Sequence, residues 1–131
     1  MAEPSIAELY FSALCSADGD LASSLFAEDG VLDDFRGGHH AGREEIRAFI
    51  SSRPRRTLRM LGPVYVNGPR LTVYVQRNHE DGSSRTVRFV FTRTGELIQH
   101  LCNSAIEFVP DQFRSDTVEF ADFPRPQATK S

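Results

Sequence analysis

The sequence has no tryptophan, only two cysteines, no repeat, and no apolar run approaching the roughly 18 residues of a spanning helix. Each shortage excludes something. Cys15 and Cys102 lie far apart and form neither a disulfide framework nor a metal-knuckle spacing, so both are read as free thiols in a reducing compartment. The opening residues MAEPSIAELY carry no basic segment followed by an apolar stretch, and a cytoplasmic location is expected. Positive charge is also scarce: 15 basic side chains stand against 18 acidic ones, giving a net charge of -3. Such a balance supplies no basic field for a phosphate backbone, and neither nucleic acid nor membrane is an expected partner. What is present fits one globular domain, since 131 residues with 40% hydrophobic and 25% charged side chains can bury a core. The aromatic content is ten Phe and three Tyr. Rings in that number imply a lined core or cavity.

Along the chain, Ser5-Ile6-Ala7-Glu8 has the pattern of a capping box. Ile6, Leu9, Tyr10, Ala13, Leu14 and Ala17 follow as one helical face. Asp18-Gly19-Asp20 breaks that helix, and Asp20 is the expected cap of a second one carrying Leu21, Leu25 and Phe26 as far as Asp29-Gly30. A short extended segment, residues 31–35, and a polar loop, 36–42, precede a third helix with Ile46, Phe49 and Ile50 on one side, stopped by Pro54. The period then changes. Residues 58–66, 71–78, 86–93 and 96–105 are β-branched and aromatic runs separated by turn residues, which predicts an antiparallel meander. Helices followed by consecutive strands give an α+β domain with helices on one face of a curved sheet, a cone enclosing a cavity. The domain is expected to span 1–123, with a C-terminal extension from about 106 that docks through Phe108, Phe113, Phe120 and Phe123, and a frayed tail at 124–131.

Tyr10-Phe11-Ser12-Ala13-Leu14, Gly19-Asp20-Leu21, Leu25 to Asp29, Asp33-Asp34 and Gly42 to Ile46 together resemble the opening half of the NTF2-like superfamily, nearest its SnoaL-like and ketosteroid isomerase-like branch. The resemblance covers about the first 50 residues well and the strands in spacing. It implies a cone-shaped, cystatin-like fold with three N-terminal helices packed on a curved antiparallel sheet. It also implies roles. Tyr10 matches the tyrosine that hydrogen-bonds the substrate oxyanion in the isomerases, and Asp34 matches the carboxylate that moves the proton. The position of the second oxyanion donor falls at Val87, and valine cannot donate a hydrogen bond, so the chain departs from the isomerase pattern there.

Physical chemistry supports a role for the remaining pair. A buried phenol needs a polar partner, and desolvation of Asp34 is expected to raise its pKa from about 3.9 and make it a better base. His100 is the candidate second donor or water-activating base, because imidazole titrates near neutrality. Strand alternation groups His100 with Cys102 and Ser104, which the resemblance places on the concave face together with Tyr74, Gln76 and Asn78 of the neighbouring strand. Phe26, Phe49, Val87, Phe89 and Phe91 complete the expected substrate pocket. His39 and His40, adjacent and pointing apart, read as solvent-facing loop residues rather than metal ligands. Arg53 with Arg55, Arg56 and Arg59 reads as a solvated helix end.

The function expected is a cofactor-independent acid–base enzyme of isomerase, cyclase or dehydratase type, with no metal, acting on a hydrophobic oxygenated small molecule such as a polyketide or steroid-like compound. One alternative is an epoxide hydrolase or hydratase using a water held by Asp34 and His100. The other is a non-catalytic small-molecule binding or dimeric assembly module. A homodimer through the outer sheet face is expected, with Val73, Val75, Val90, Arg77 and Arg88 on that face.

Overall fold

The computed structural model describes residues 5–34, 36–54, 57–78 and 82–106, and the backbone of 118–120. Ser5 opens helix α1 (Ile6–Ser16) with the capping box in place: its hydroxyl accepts from the Glu8 amide at 3.2 Å, and the Glu8 carboxylate accepts from the Ser5 amide at 2.8 Å. The helix ends at Ala17, whose left-handed backbone (φ 57°) lets its amide reach the carbonyls of Ala13 and Leu14. Helix α2 (Gly19–Ser24) follows at once. Its cap is Asp18 rather than Asp20, because the Asp18 carboxylate accepts from the Leu21 amide at 3.0 Å.

The expected second helix is shorter than its apolar residues suggest, because Phe26 already belongs to strand β1 (Phe26–Asp33). The predicted polar loop contains a short strand, β2 (His39–Ala41), before helix α3 (Arg43–Ser51). The strands β3 (Thr57–Met60), β4 (Tyr65–Asn67), β5 (Arg70–Asn78), β6 (Ser84–Thr94) and β7 (Leu97–Ile106) follow, and β8 (Val118–Phe120) completes one eight-stranded sheet. Its order is β2-β1-β7-β6-β5-β3-β8, with β4 added on β5.

The α+β expectation agrees with this architecture, in which three helices are found among the described residues, while the wholly antiparallel sheet does not. β1 lies parallel to β7, pairing Val31 with His100 and Asp33 with Cys102. A strand that precedes α3 and re-enters beside the last long strand can have that direction, since the intervening chain supplies the crossover. The backbone of Val118–Phe120 pairs with β3. The expected docking of Phe108, Phe113 and Phe123 and the tail at 124–131 lie outside the described residues.

All three helices send buried side chains into one core. Tyr10, Phe11 and Leu14 of α1, Ala22 of α2, and Ile46 and Ile50 of α3 meet Leu32, Leu58, Met60, Leu71, Val73, Val75, Val87, Phe89, Phe91 and Leu101 of the sheet. Those strand residues define the concave face. Burying each large apolar side chain is worth roughly 1.5–3 kcal/mol, so this face decides which way every strand turns.

Candidate functional site

A cavity opens between the helices and the concave sheet face; the space there left unfilled by protein atoms, open solvent at the mouth included, is about 450 Å³. Leu14, Phe49, Leu58, Val87 and Phe89 form its apolar wall. Tyr10, Asp34 and Asn103 supply polar atoms, and Arg36, Arg53 and Arg77 supply positive charge.

Tyr10 reaches the cavity from the buried stripe of α1. Its ring is fully buried, edge-on to Phe11, Phe26 and Phe91 with centroids 5.7–6.2 Å away. Four neighbouring rings, counting Phe89 at 6.3 Å, fix the direction in which the hydroxyl points. Phe26 and Phe91 therefore act behind Tyr10 as core, whereas the predicted Phe49, Val87 and Phe89 line the cavity directly.

Asp34 follows the last residue of β1, where the chain leaves the sheet. Its Oδ1 accepts from the amides of Arg36 at 2.8 Å and Gly38 at 3.0 Å, and its Oδ2 faces His40 Nε2 at 3.2 Å. Gly38 has to be glycine for this: a Cβ there would overlap the Asp34 carboxylate. Desolvation pushes the Asp34 pKa up, as the sequence suggests, but the hydrogen bonds from Gly38, His40 and Arg36 outweigh it. The net result is a carboxyl held below its ordinary value. The expected rise is thus reversed by a turn whose amides the sequence alone does not place.

His40, read from sequence as a solvent residue, is a partner of the site. Its ring stacks on Phe49 with centroids 4.0 Å apart while its Nε2 meets Asp34. His39 points the other way, to Asp33 at 2.6 Å, so the adjacent histidines do diverge as alternation requires.

His100 is not in the cavity. Its Nε2 meets Asp33 Oδ2 at 2.8 Å on the convex face, leaving Asp34 on the opposite side of the chain. The physical reason is a bulge. Thr92 pairs with His100 and Arg93 with Ile98, so Gln99 is an extra residue on β7. Counting by twos from the buried Ile98 would put His100, Cys102 and Ser104 inside. The bulge flips that parity, and Leu101 and Asn103 face the core instead. His100 is engaged with Asp33 and does not line the cavity that Asp34 lines.

The assignment of β5 is corrected in the same way. Leu71, Val73, Val75 and Arg77 are on the concave side, so Val73, Val75 and Arg77 do not belong to the outer face. Tyr74, Gln76 and Asn78 turn outward. Tyr74 packs with Leu61 and Ile106, Gln76 bonds Arg59 and Ser84, and Asn78 bonds Thr57. An apolar helix layer needs an apolar sheet face, and the valine set is the one that provides it.

Sequence reasoning missed Asn103 and Arg36, read Arg53 as a solvated helix end and put Arg77 on the outer face, whereas all four line the cavity. Asn103 Oδ1 is buried with no hydrogen-bond partner among the described residues, an arrangement that is rare unless a site requires it. Arg77 was detectable as the cation that continues the alternation of Leu71, Val73 and Val75. Burial lowers its pKa from the ordinary guanidinium value, and the nearby charges of Arg53, Arg36 and Arg85 add to the effect. Among the described residues, no group of three or more His, Cys, Asp or Glu side chains is arranged to hold a metal ion. No described helix is long and apolar enough to cross a membrane.

No family model matches the chain, and no curated protein matches it in sequence. Solved structures do match. A protein from Sphaerobacter thermophilus superposes with a TM-score of 0.71 at 23% identity, over 79% of this chain and 94% of the other. A hypothetical protein of ketosteroid isomerase-like fold from Catenulispora acidiphila, solved with trimethylamine, gives 0.68 at 16%, over 86% and 91%. A candidate polyketide cyclase from Sinorhizobium meliloti gives 0.65 at 25%, over 78% and 95%. The NTF2-like, ketosteroid isomerase-like fold expected from the sequence is the fold these neighbours share with this chain.

Proposed function

We propose, from this ketosteroid isomerase-like fold and its cavity, that the chain is an acid–base enzyme acting on an oxygenated small molecule with an apolar body. The observation that supports this most is the meeting of Tyr10 and Asp34 at one cavity whose remaining wall is largely apolar. Asp34, already ionised, takes a proton from a carbon beside a carbonyl, and the electron pair of that C–H bond moves onto the carbonyl oxygen. The Tyr10 hydroxyl donates to the resulting enolate oxygen. Asn103 is the second donor in place of the valine at position 87: its buried amide, turned by half a rotation, presents Nδ2 where Oδ1 now lies. His40 positions the carboxylate and shares its proton before the proton returns to carbon.

The test is solvent-deuterium uptake into a panel of enolisable ketones, followed by proton NMR. Asp34→Asn keeps the volume but cannot accept the proton, so exchange should fall by about two orders of magnitude or more, with ketone affinity largely unchanged. Exchange by Asp34→Asn equal to that of the wild type would sink the assignment.

The reading also includes a homodimer paired through the convex face. The helices pack on the concave side, leaving Val90, Cys102 and Ser104 on the convex side as partly exposed residues beside the exposed Arg88.

A further inference from the structure

The hairpin of β1 and β2 carries aspartate–histidine pairs on both of its faces. On the concave side Asp34 meets His40. On the convex side the preceding residue, Asp33, meets two histidines: His39 Nδ1 lies 2.6 Å from its Oδ1, and His100 Nε2 lies 2.8 Å from its Oδ2. The Asp33 carboxyl is held below its ordinary value, with the hydrogen bond from His100 as the largest cause. An ionised carboxylate only accepts, so both ring nitrogens donate to it. One side chain thus ties together three neighbouring strands, β2, β1 and β7.

The position of this clasp gives it a consequence. The register of β1 against β7 shifts between Phe26 and Val31, so the regular ladder there runs only from Val31 to Asp33. The ladder of β1 with β2 covers the same residues. Asp33 is the last pair of both, opposite Cys102 on one side and His39 on the other. Ends of short ladders open most readily. The next residue is Asp34, whose carboxylate takes its orientation from the amides of Arg36 and Gly38 and from His40. His40 itself belongs to β2, the strand that His39 fastens to Asp33. Opening of the ladder end would therefore move Asp34 and its partner together, away from the geometry that faces Tyr10 across the cavity.

We infer that the Asp33 clasp, with His100 and His39 as its two arms, positions the Asp34 carboxylate from the opposite face of the sheet. His100 is then a positioning residue for proton transfer, although it lies outside the cavity. The side chains of His100 and Asp33 are 42% and 36% exposed, and so open a pair adds little to global stability. Its effect is local, at the ladder end. A displacement of about 1 Å at a reacting group can cost on the order of a hundredfold in rate, so the clasp acts on turnover rather than on affinity. This inference rests on Asp34 being the base proposed above.

The experiment combines backbone amide hydrogen exchange of the full chain, followed by NMR, with deuterium uptake into the same ketone panel. In His100→Ala the amides of Arg36 and Gly38 should exchange about three- to tenfold faster than in the wild type. The amides of α1 should keep their wild-type rates and so report an intact fold. Ketone deuteration should fall about tenfold in kcat with KM unchanged. His100→Gln, whose amide nitrogen can stand where Nε2 stands, should recover both quantities. Wild-type exchange rates at Arg36 and Gly38 in His100→Ala overturn the inference, as does a loss of turnover that His100→Gln fails to recover. The acid–base reading fails separately. Faster exchange at these amides with ketone turnover unchanged overturns the present inference and leaves that reading intact. Faster exchange in a chain whose wild type deuterates no ketone supports the clasp's hold on Asp34 and overturns the catalytic reading.

Discussion

Asp34 shows how a single residue can be legible in type and illegible in state. Its identity and its distance from Tyr10 along the chain are in the sequence, but its ionisation is set by amides of Arg36 and Gly38 that only the folded turn places. The consequence is a pH dependence of stability with a definite sign. A carboxyl whose folded pKa lies below its unfolded value of about 3.9 stabilises the fold above that pH, and this contribution is lost as pH falls through the folded pKa. Asp33, held low chiefly by its hydrogen bond from His100, acts in the same window. We expect urea-unfolding stability to fall steeply below about pH 4, and Asp34→Asn to be less stable than wild type at pH 7 but to lose less on acidification. Parallel loss in both proteins would show that Asp34 is not held low. Tyr10 was the more legible partner: it stands on an apolar helical stripe, and a residue on such a stripe has only one direction in which to point.

Among the elements, α1 was read most faithfully, α2 was read too long and capped at the wrong aspartate, and the strand faces were read least well. The capping box and the 3.6-residue spacing of α1 are local features, determined by residues within one turn of each other. The face of β7 depends instead on the extra residue Gln99, and no local rule identifies a bulge in advance. A single inserted position exchanged His100, Cys102 and Ser104 for Leu101 and Asn103. The crossing of α2 and α3 supplies a test at this level. A Cβ on Gly19 would overlap the carbonyl oxygen of Arg47 and the hydroxyl of Ser51. Helix propensity alone predicts that Gly19→Ala stabilises by about 1 kcal/mol. Overpacking predicts the opposite sign, a loss of roughly 1–3 kcal/mol. We expect the urea midpoint to fall with the slope unchanged, and a rise in the midpoint would mean that the two helices can separate at little cost.

For the molecule as a whole, the helices cover the concave face and the cavity opens between the two layers. A homodimer through the convex face should appear in light scattering as twice the chain mass, and Val90→Arg should return the monomer while preserving the circular dichroism of the fold. A wild-type monomer at micromolar concentration would overturn the pairing. The sequence by itself determined the α+β class, the segments that form the three described helices and the candidacy of Tyr10 and Asp34, because each rests on spacing within a segment or on matching residues near one another. Only the tertiary structure decided which sheet face is concave, that Asn103 and three arginines enter the cavity, that His40 rather than His100 meets Asp34, and which way the Asp34 pKa moves. Those outcomes depend on strand register and on amides and charges from distant segments meeting in one place, and long-range register is written in no single stretch of chain.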